Sequence, residues 1–137
     1  MEDTIRVVDY FYVQVEDKPG EGRRMLEHLS ERGVNLISFT AFPVGGGKTQ
    51  LDFVPESADS LRAAAEDANI SVVGPKKAIF IQGDDRVGAL HQYLLILANA
   101  GVNVHAANGA SSGMGGFSFI LWVAPDELED AKKALNI

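Results

Sequence analysis

The sequence contains no cysteine, which excludes disulfides, thiolate metal sites and cysteine nucleophiles together. Basic residues are in deficit: 12 Lys and Arg face 19 Asp and Glu, and the formal charge of −7 repels phosphate backbones and anionic membrane surfaces. No Lys/Arg cluster interleaves with aromatics, so no nucleic-acid partner is expected. Long apolar runs are missing too. The longest, Tyr93 to Ala98 and Phe119 to Ala124, fall far short of a membrane span, and no apolar segment follows a basic start. A soluble, cytoplasmic protein without a cofactor is the expectation. What remains, 46% hydrophobic and 23% charged residues, is the composition of an ordinary globular chain.

The sequence carries one stretch twice. Asp17-Lys18-Pro19-Gly20, an amphipathic run and Gly33-Val34-Asn35 return 68 positions later as Asp85-Arg86-Val87-Gly88, an apolar run and Gly101-Val102-Asn103. At that fixed offset seven positions between 17 and 35 are identical: the pairs Asp17/Asp85, Gly20/Gly88, Leu26/Leu94, Leu29/Leu97, Gly33/Gly101, Val34/Val102 and Asn35/Asn103. A period near half the chain is too long for a solenoid and right for two duplicated small domains, 1–74 and 75–137. Each half is close to the lower limit of independent stability, so the halves are expected to pack on each other.

Local patterns give each half the same order. Residues 5–15 are rich in Val, Tyr and Phe and read as a strand, with Val7, Phe11, Val13 and Val15 on one face and Tyr10, Tyr12 and Gln14 on the other. A turn leads to a helix over 23–32 through Met25, Leu26 and Leu29, ended by Gly33 as a left-handed cap. Strands over 34–42 and 49–54 flank a glycine-rich hairpin at 43–48, Ser57 caps a helix to Ala68, and 70–73 forms a short closing strand. Gly74-Pro75 punctuates the chain. The second half then repeats with a strand over 78–82, a helix over 89–100 with core stripe Leu90, Leu94 and Leu97, strands over 104–107 and 117–123 joined by a loop at 108–116, and a helix entered near Pro125 or Asp126. Asn136-Ile137 stands where Asn69-Ile70 opens the first closing strand, so the second repeat lacks one. Either the long N-terminal strand or a second copy fills that edge. Ile120 and Trp122 alternate with Phe119, Leu121 and Val123, which makes both faces of that strand apolar and predicts burial of both. The fold class expected is α+β: two ferredoxin-like β-α-β-β-α-β repeats with antiparallel sheets and helices on one face.

The chemistry suggested by the repeated stretch is binding. Gly20 or Gly88 leading into a helix presents unpaired N–H groups at the positive end of the helix dipole, which suits a carboxylate, while Asp17 or Asp85 and Asn35 or Asn103 can accept from an ammonium group. The same residues also have a plain structural use, with Asp starting the turn, Gly permitting it and Gly-x-Asn ending the helix. His105 is either a ligand contact or a solvent-facing strand histidine. With His28 and His91 it shows no metal-ligand spacing. Gly45-Gly46-Gly47-Lys48-Thr49 is not a phosphate loop, because Phe42 stands where the first glycine is required and a strand follows. No nucleophile elbow surrounds Ser111, and no acid/base pair is visible, so catalysis is not expected.

The pattern Asp85-x-x-Gly88-x-Leu90, then Leu94, Leu97, Ala98 and Gly101-Val102-Asn103, resembles the ACT domain, a small amino-acid-sensing regulatory module. The two copies cover residues 9–137. The resemblance implies a tandem ACT regulatory protein rather than an enzyme, with an amino-acid ligand where domains or subunits meet. The apolar faces suit packing between repeats or in a homodimer, and the alternative function is a structural or interaction module without its own ligand whose apolar face around Trp122 docks a partner enzyme. It also implies that Asp17, Gly20, Asp85 and Gly88 hold the ligand from the loops, with Asn35 and Asn103 at strand entries. The first copy departs from the pattern at Gly22, which stands in the place of Leu90 and loosens that helix start.

Overall fold

Thr4–Glu16, free of glycine and proline, forms the 13-residue strand β1 of the computed structural model, which describes residues 3–137. Then follow α1 (Glu21–Glu31), β2 (Leu36–Gly45), β3 (Lys48–Pro55), α2 (Ala58–Asp67), β4 (Val73–Asp84), α3 (Ala89–Asn99), β5 (Val104–Gly113), β6 (Gly116–Val123), a 3-10 turn (Pro125–Glu127) and α4 (Leu128–Leu135). The order is β-α-β-β-α-β twice, as expected, with hydrogen-bonded strand order β2-β3-β1-β4-β6-β5. Two compact units divide it: Asp9–Lys76, and residues 3–8 together with 77–137. Both long strands therefore serve two units, each giving one half to each.

In the first unit the order is β2-β3-β1-β4. Antiparallel register sets Phe11 opposite Phe53 and Val13 opposite Leu51 on the helix-facing side, and Tyr12 opposite Asp52 on the other. Met25 and Leu29 of α1 and Leu61 and Ala64 of α2 close over Phe11, Val15, Leu51 and Phe53. The Ser57 side chain accepts from the Ser60 N–H at 3.2 Å, the expected cap. Gly33, at φ 74°, ends α1 with its N–H on the Ser30 carbonyl, and Gly101 repeats this after α3 with Ala98.

The expected closing strand at 70–73 begins only at Val73 and runs unbroken through Gly74-Pro75 into the opening strand of the second repeat. Pro75 is tolerated because β6 pairs with β4 only from Ile79 onward, which leaves Pro75 on an edge of the first unit. β2 also extends past its predicted end, through Pro43 to Gly45, with Gly46 and Gly47 as a two-residue turn at φ 63° and 74°.

The second unit has the order β5-β6-β4-β1, so the first half of β1 occupies the edge beside β4, one of the two fillers expected. Ile79, Ile81, Phe117, Phe119 and Leu121 meet Ala89, Tyr93 and Leu97 of α3 and Ala131 and Leu135 of α4. Two expectations are corrected here. The loop predicted at 108–116 is strand up to Gly113: Gly, Ser and Asn are poor strand formers, but pairing with the apolar β6 draws them into its ladder. The core stripe of α3 is Ala89, Tyr93 and Leu97, while Leu94 and Leu95 are exposed. Ile120 and Trp122 are both buried, so both faces of β6 are covered as predicted. Asp126 does not cap α4, whose start is preceded by the 3-10 turn entered at Pro125.

Gly74 adopts φ 137°, and a Cβ there would lie 2.8 Å from the Tyr10 carbonyl oxygen and 2.9 Å from the Phe11 ring. Gly74→Ala is expected to cost about 3 kcal/mol, from backbone strain plus overpacking. Urea unfolding of the variant checks this; a midpoint unchanged from wild type would show that the two strands do not need this close approach.

Candidate functional site

Both copies of the repeated loop are built alike. The Asp85 N–H donates to the Gly115 carbonyl at 2.7 Å, and the Asp17 N–H donates to that of Gly47 at 2.9 Å, so each loop is tied to the hairpin beside it. Gly88 (φ 83°, ψ 7°) and Gly20 (φ 90°, ψ −9°) take the left-handed conformation that turns the chain into the helix, and neither helix has a side-chain cap. The first helical bonds run from Gln92 to the Gly88 carbonyl and from Arg24 to that of Gly20. The N–H groups of Leu90 and His91, and of Gly22 and Arg23, therefore precede the hydrogen-bonded ladder, at the positive end of each helix.

Beyond that shared frame the copies part. In the second unit a cavity of about 380 Å³ opens at the start of α3, bounded by Asp85, Arg86 and Gly88, by Leu90 and His91, and across from them by Gly109, Ser111 and Phe117. No acidic residue stands in the first turn of α3. In the first unit Glu21 does stand there, its side chain 15% exposed and its carboxylate accepting from Arg24 Nε at 2.8 Å. The first copy thus carries a carboxylate in the first turn of its helix, paired with Arg24, and the second does not. A reciprocal exchange accompanies this. Leu90 packs over Gly109, where a Cβ would come within 2.6 Å of its Cδ1, whereas the same two positions of the first copy hold Gly22 and Ala41. Without the leucine, Gly22, Leu26, Phe39 and Ala41 line a broader groove of about 540 Å³.

Both Nη groups of Arg86 at the cavity edge are engaged. Its guanidinium donates from Nη2 to Asp3 Oδ2 at 2.8 Å, from Nη1 to Asp3 Oδ1 at 3.2 Å and to the Asp84 carbonyl at 2.9 Å, and from Nη2 to Gln92 Oε1 at 2.9 Å. It also lies over the Phe117 ring. Tyr93 donates its hydroxyl to Asp3 Oδ2. The Arg86 hydrogen bonds hold the Asp3 carboxyl below the ordinary carboxylate range against the cost of its burial. Burial, then the bond to Asp3, raises the Tyr93 phenol.

Of the residues singled out in the sequence, Asp85 and Gly88 line the cavity. Asn103 and His105 do not; His105 is solvent-exposed on β5. The adjacency expected between each Asp and Asn is not made, because α1 and α3 stand between them. Each helix has 11 residues and is about 16 Å long. The Asn35 side chain instead donates to Glu56 Oε1 at 2.8 Å, and the Asn103 N–H donates to Glu127 Oε2 at 3.1 Å. Asp17 and Gly20 keep the loop geometry next to Glu21. Sequence reasoning missed Arg86, Gly109 and Ser111. For Gly109 a signal existed, since the offset of 68 pairs the Gly22/Leu90 difference with Ala41/Gly109. Among the described residues no group of three or more His, Asp or Glu side chains gathers to hold a metal, and no helix is long and apolar enough to cross a membrane.

No protein-family model matches the chain, and no curated protein does. Solved structures do. Protein BT0572 from Bacteroides thetaiotaomicron superposes with a TM-score of 0.82 at 17% identity, over 96% of this chain and 88% of that one. The ligand-free regulatory subunit of aspartate kinase from Thermus thermophilus gives 0.64 at 18% identity, over 96% and 94%. A structure of aspartokinase alpha and beta subunits gives 0.63 at 18%, over 100% and 99%. This is a tandem ACT fold. At such identities the likeness is one of architecture, and the tandem ACT fold hosts the cavity at the β4–α3 loop of its second copy.

A pH dependence follows from Asp3. Its folded pKa is depressed, so its contribution to stability is complete above the unfolded value near 3.8 and is lost as pH falls from there through the folded value. Urea midpoints between pH 6 and about pH 2 should fall more steeply for wild type than for Asp3→Asn. Parallel curves would contradict the clasp between Asp3 and Arg86.

Proposed function

We propose that the chain is a small-molecule-sensing regulatory module whose ligand is an α-amino acid bound at the start of α3 in the second repeat. The observation that carries this is the cavity at a helix start with no acidic residue of its own, whereas the first turn of α1 holds Glu21. The free N–H groups of Leu90 and His91 receive the ligand carboxylate. The Asp85 carboxylate and the Ser111 hydroxyl, which share the cavity, receive its ammonium group. A regulatory subunit of aspartate kinase shares the fold, which supports a role for this chain as a regulatory partner of an enzyme; assembly as a homodimer belongs to the same proposal. Occupancy shifts an assembly equilibrium by no more than the ligand's difference in affinity between the two states.

Val87 and Met114 are fully exposed on the loop and on the hairpin that Asp85 ties to it. They favour a second reading, in which this end docks a partner protein and takes no ligand.

Thermal unfolding against the twenty amino acids, one at a time, separates the two. Ligand at one hundred times its dissociation constant stabilises by about 2.7 kcal/mol. A selective rise in melting temperature that Asp85→Ala and Ser111→Ala both reduce is expected. No rise with any amino acid would overturn the ligand reading and leave the docking one.

A further inference from the structure

The two repeats hold their fourth strands by different means. In the first, that strand follows α2 directly, so a covalent connection keeps it in place. In the second, the fourth strand is the first half of β1, which has no chain link to α4. What fastens it at its outer end is Asp3, 8% exposed, which takes both guanidinium Nη atoms of Arg86 and the hydroxyl of Tyr93. Gly83 makes the room, since a Cβ there would overlap the Asp3 carboxylate. At the offset of 68 the first copy has Lys18, Met25 and Val15 in place of Arg86, Tyr93 and Gly83, so no such ionic cluster can form there. The clasp exists only where the strand is detachable, and its cationic half belongs to the loop that bounds the cavity.

We propose that Asp3 is a positioning residue for the loop Asp85-Arg86-Val87-Gly88: docking of the first half of β1 and ordering of that loop are one coupled state. Arg86 spans the two, with Asp3 on one side and the Asp84 carbonyl and Gln92 on the other, so releasing Asp3 frees both the strand and the start of α3. By linkage, whatever binds the ordered loop tightens the strand, and whatever removes the strand weakens binding at the loop to the same degree. That a ligand binds there rests on the proposed function above; that the strand orders the loop does not.

Hydrogen exchange of the full chain without ligand tests it, in wild type, Asp3→Asn and Gly83→Ala. The first variant removes the charge, and the second evicts the carboxylate while leaving it ionised. Both are expected to speed exchange about tenfold at 4–8 and at 84–92, the effect of losing one charge-assisted hydrogen bond, with β3 unchanged. Faster exchange at 4–8 with 84–92 at the wild-type rate would overturn the coupling. So would no change at either segment, or a uniform rise that includes β3, which would make Asp3 a general stabiliser rather than a positioning residue.

Discussion

A four-stranded sheet that lacks its last strand exposes a row of unpaired N–H and C=O groups, and in this chain that constraint organises both repeats. In the second unit the position beside β4 is taken by the first half of β1. β1 is therefore 13 residues long and β4 is 12, each completing one unit with its first half and the other with its second. Gly74 and Gly83 in β4 are two places where β1 and the residue before it leave no room for a side chain. One of them admits the backbone of Tyr10 and the other the carboxylate of Asp3, so the seam is specified at both of its ends.

Much of this was legible because duplication prints each structural rule twice. The left-handed Gly33 and Gly101, the paired loops at Gly20 and Gly88, and the Ser57 cap all follow from residues whose local chemistry admits few alternatives. The length of the N-terminal strand, enough to serve an edge of the second repeat as well, was visible from the sequence. What local reasoning could not supply was the continuation of β2 and β5 through Pro43 and through Asn108 to Gly113, because their partners in β3 and β6 impose those strands from outside. The same holds for Gly74-Pro75, a break by propensity that becomes an edge-strand residue pair once β1 lies beside it. Tyr93 displaced Leu94 from the core of α3 because the polar tip of a tyrosine can reach Asp3 while its ring stays buried. At the site, the repeated Asp and Gly marked the right loop. The Asn residues belonged to the far end of the helix, a separation that spacing along the chain does not reveal.

The differences between the copies carry the functional argument more than their identities do. Shared residues are inherited by both repeats whatever their use, and they account for the loop, the turn and the helix end. Glu21 against Ala89, and Gly22 with Ala41 against Leu90 with Gly109, are exchanges made within one frame, and they leave one helix start supplied with its own carboxylate and the other open. On that account two similar loops are not two similar sites.

The measurement that tests this most directly is a titration of the uniformly nitrogen-15-labelled protein with the amino acid that stabilises it most, following each backbone amide. The account predicts saturable shifts at Gly88, Leu90 and His91, with Gly20, Gly22 and Arg23 left in place. Equal shifts at both helix starts, or shifts confined to the first, would contradict it.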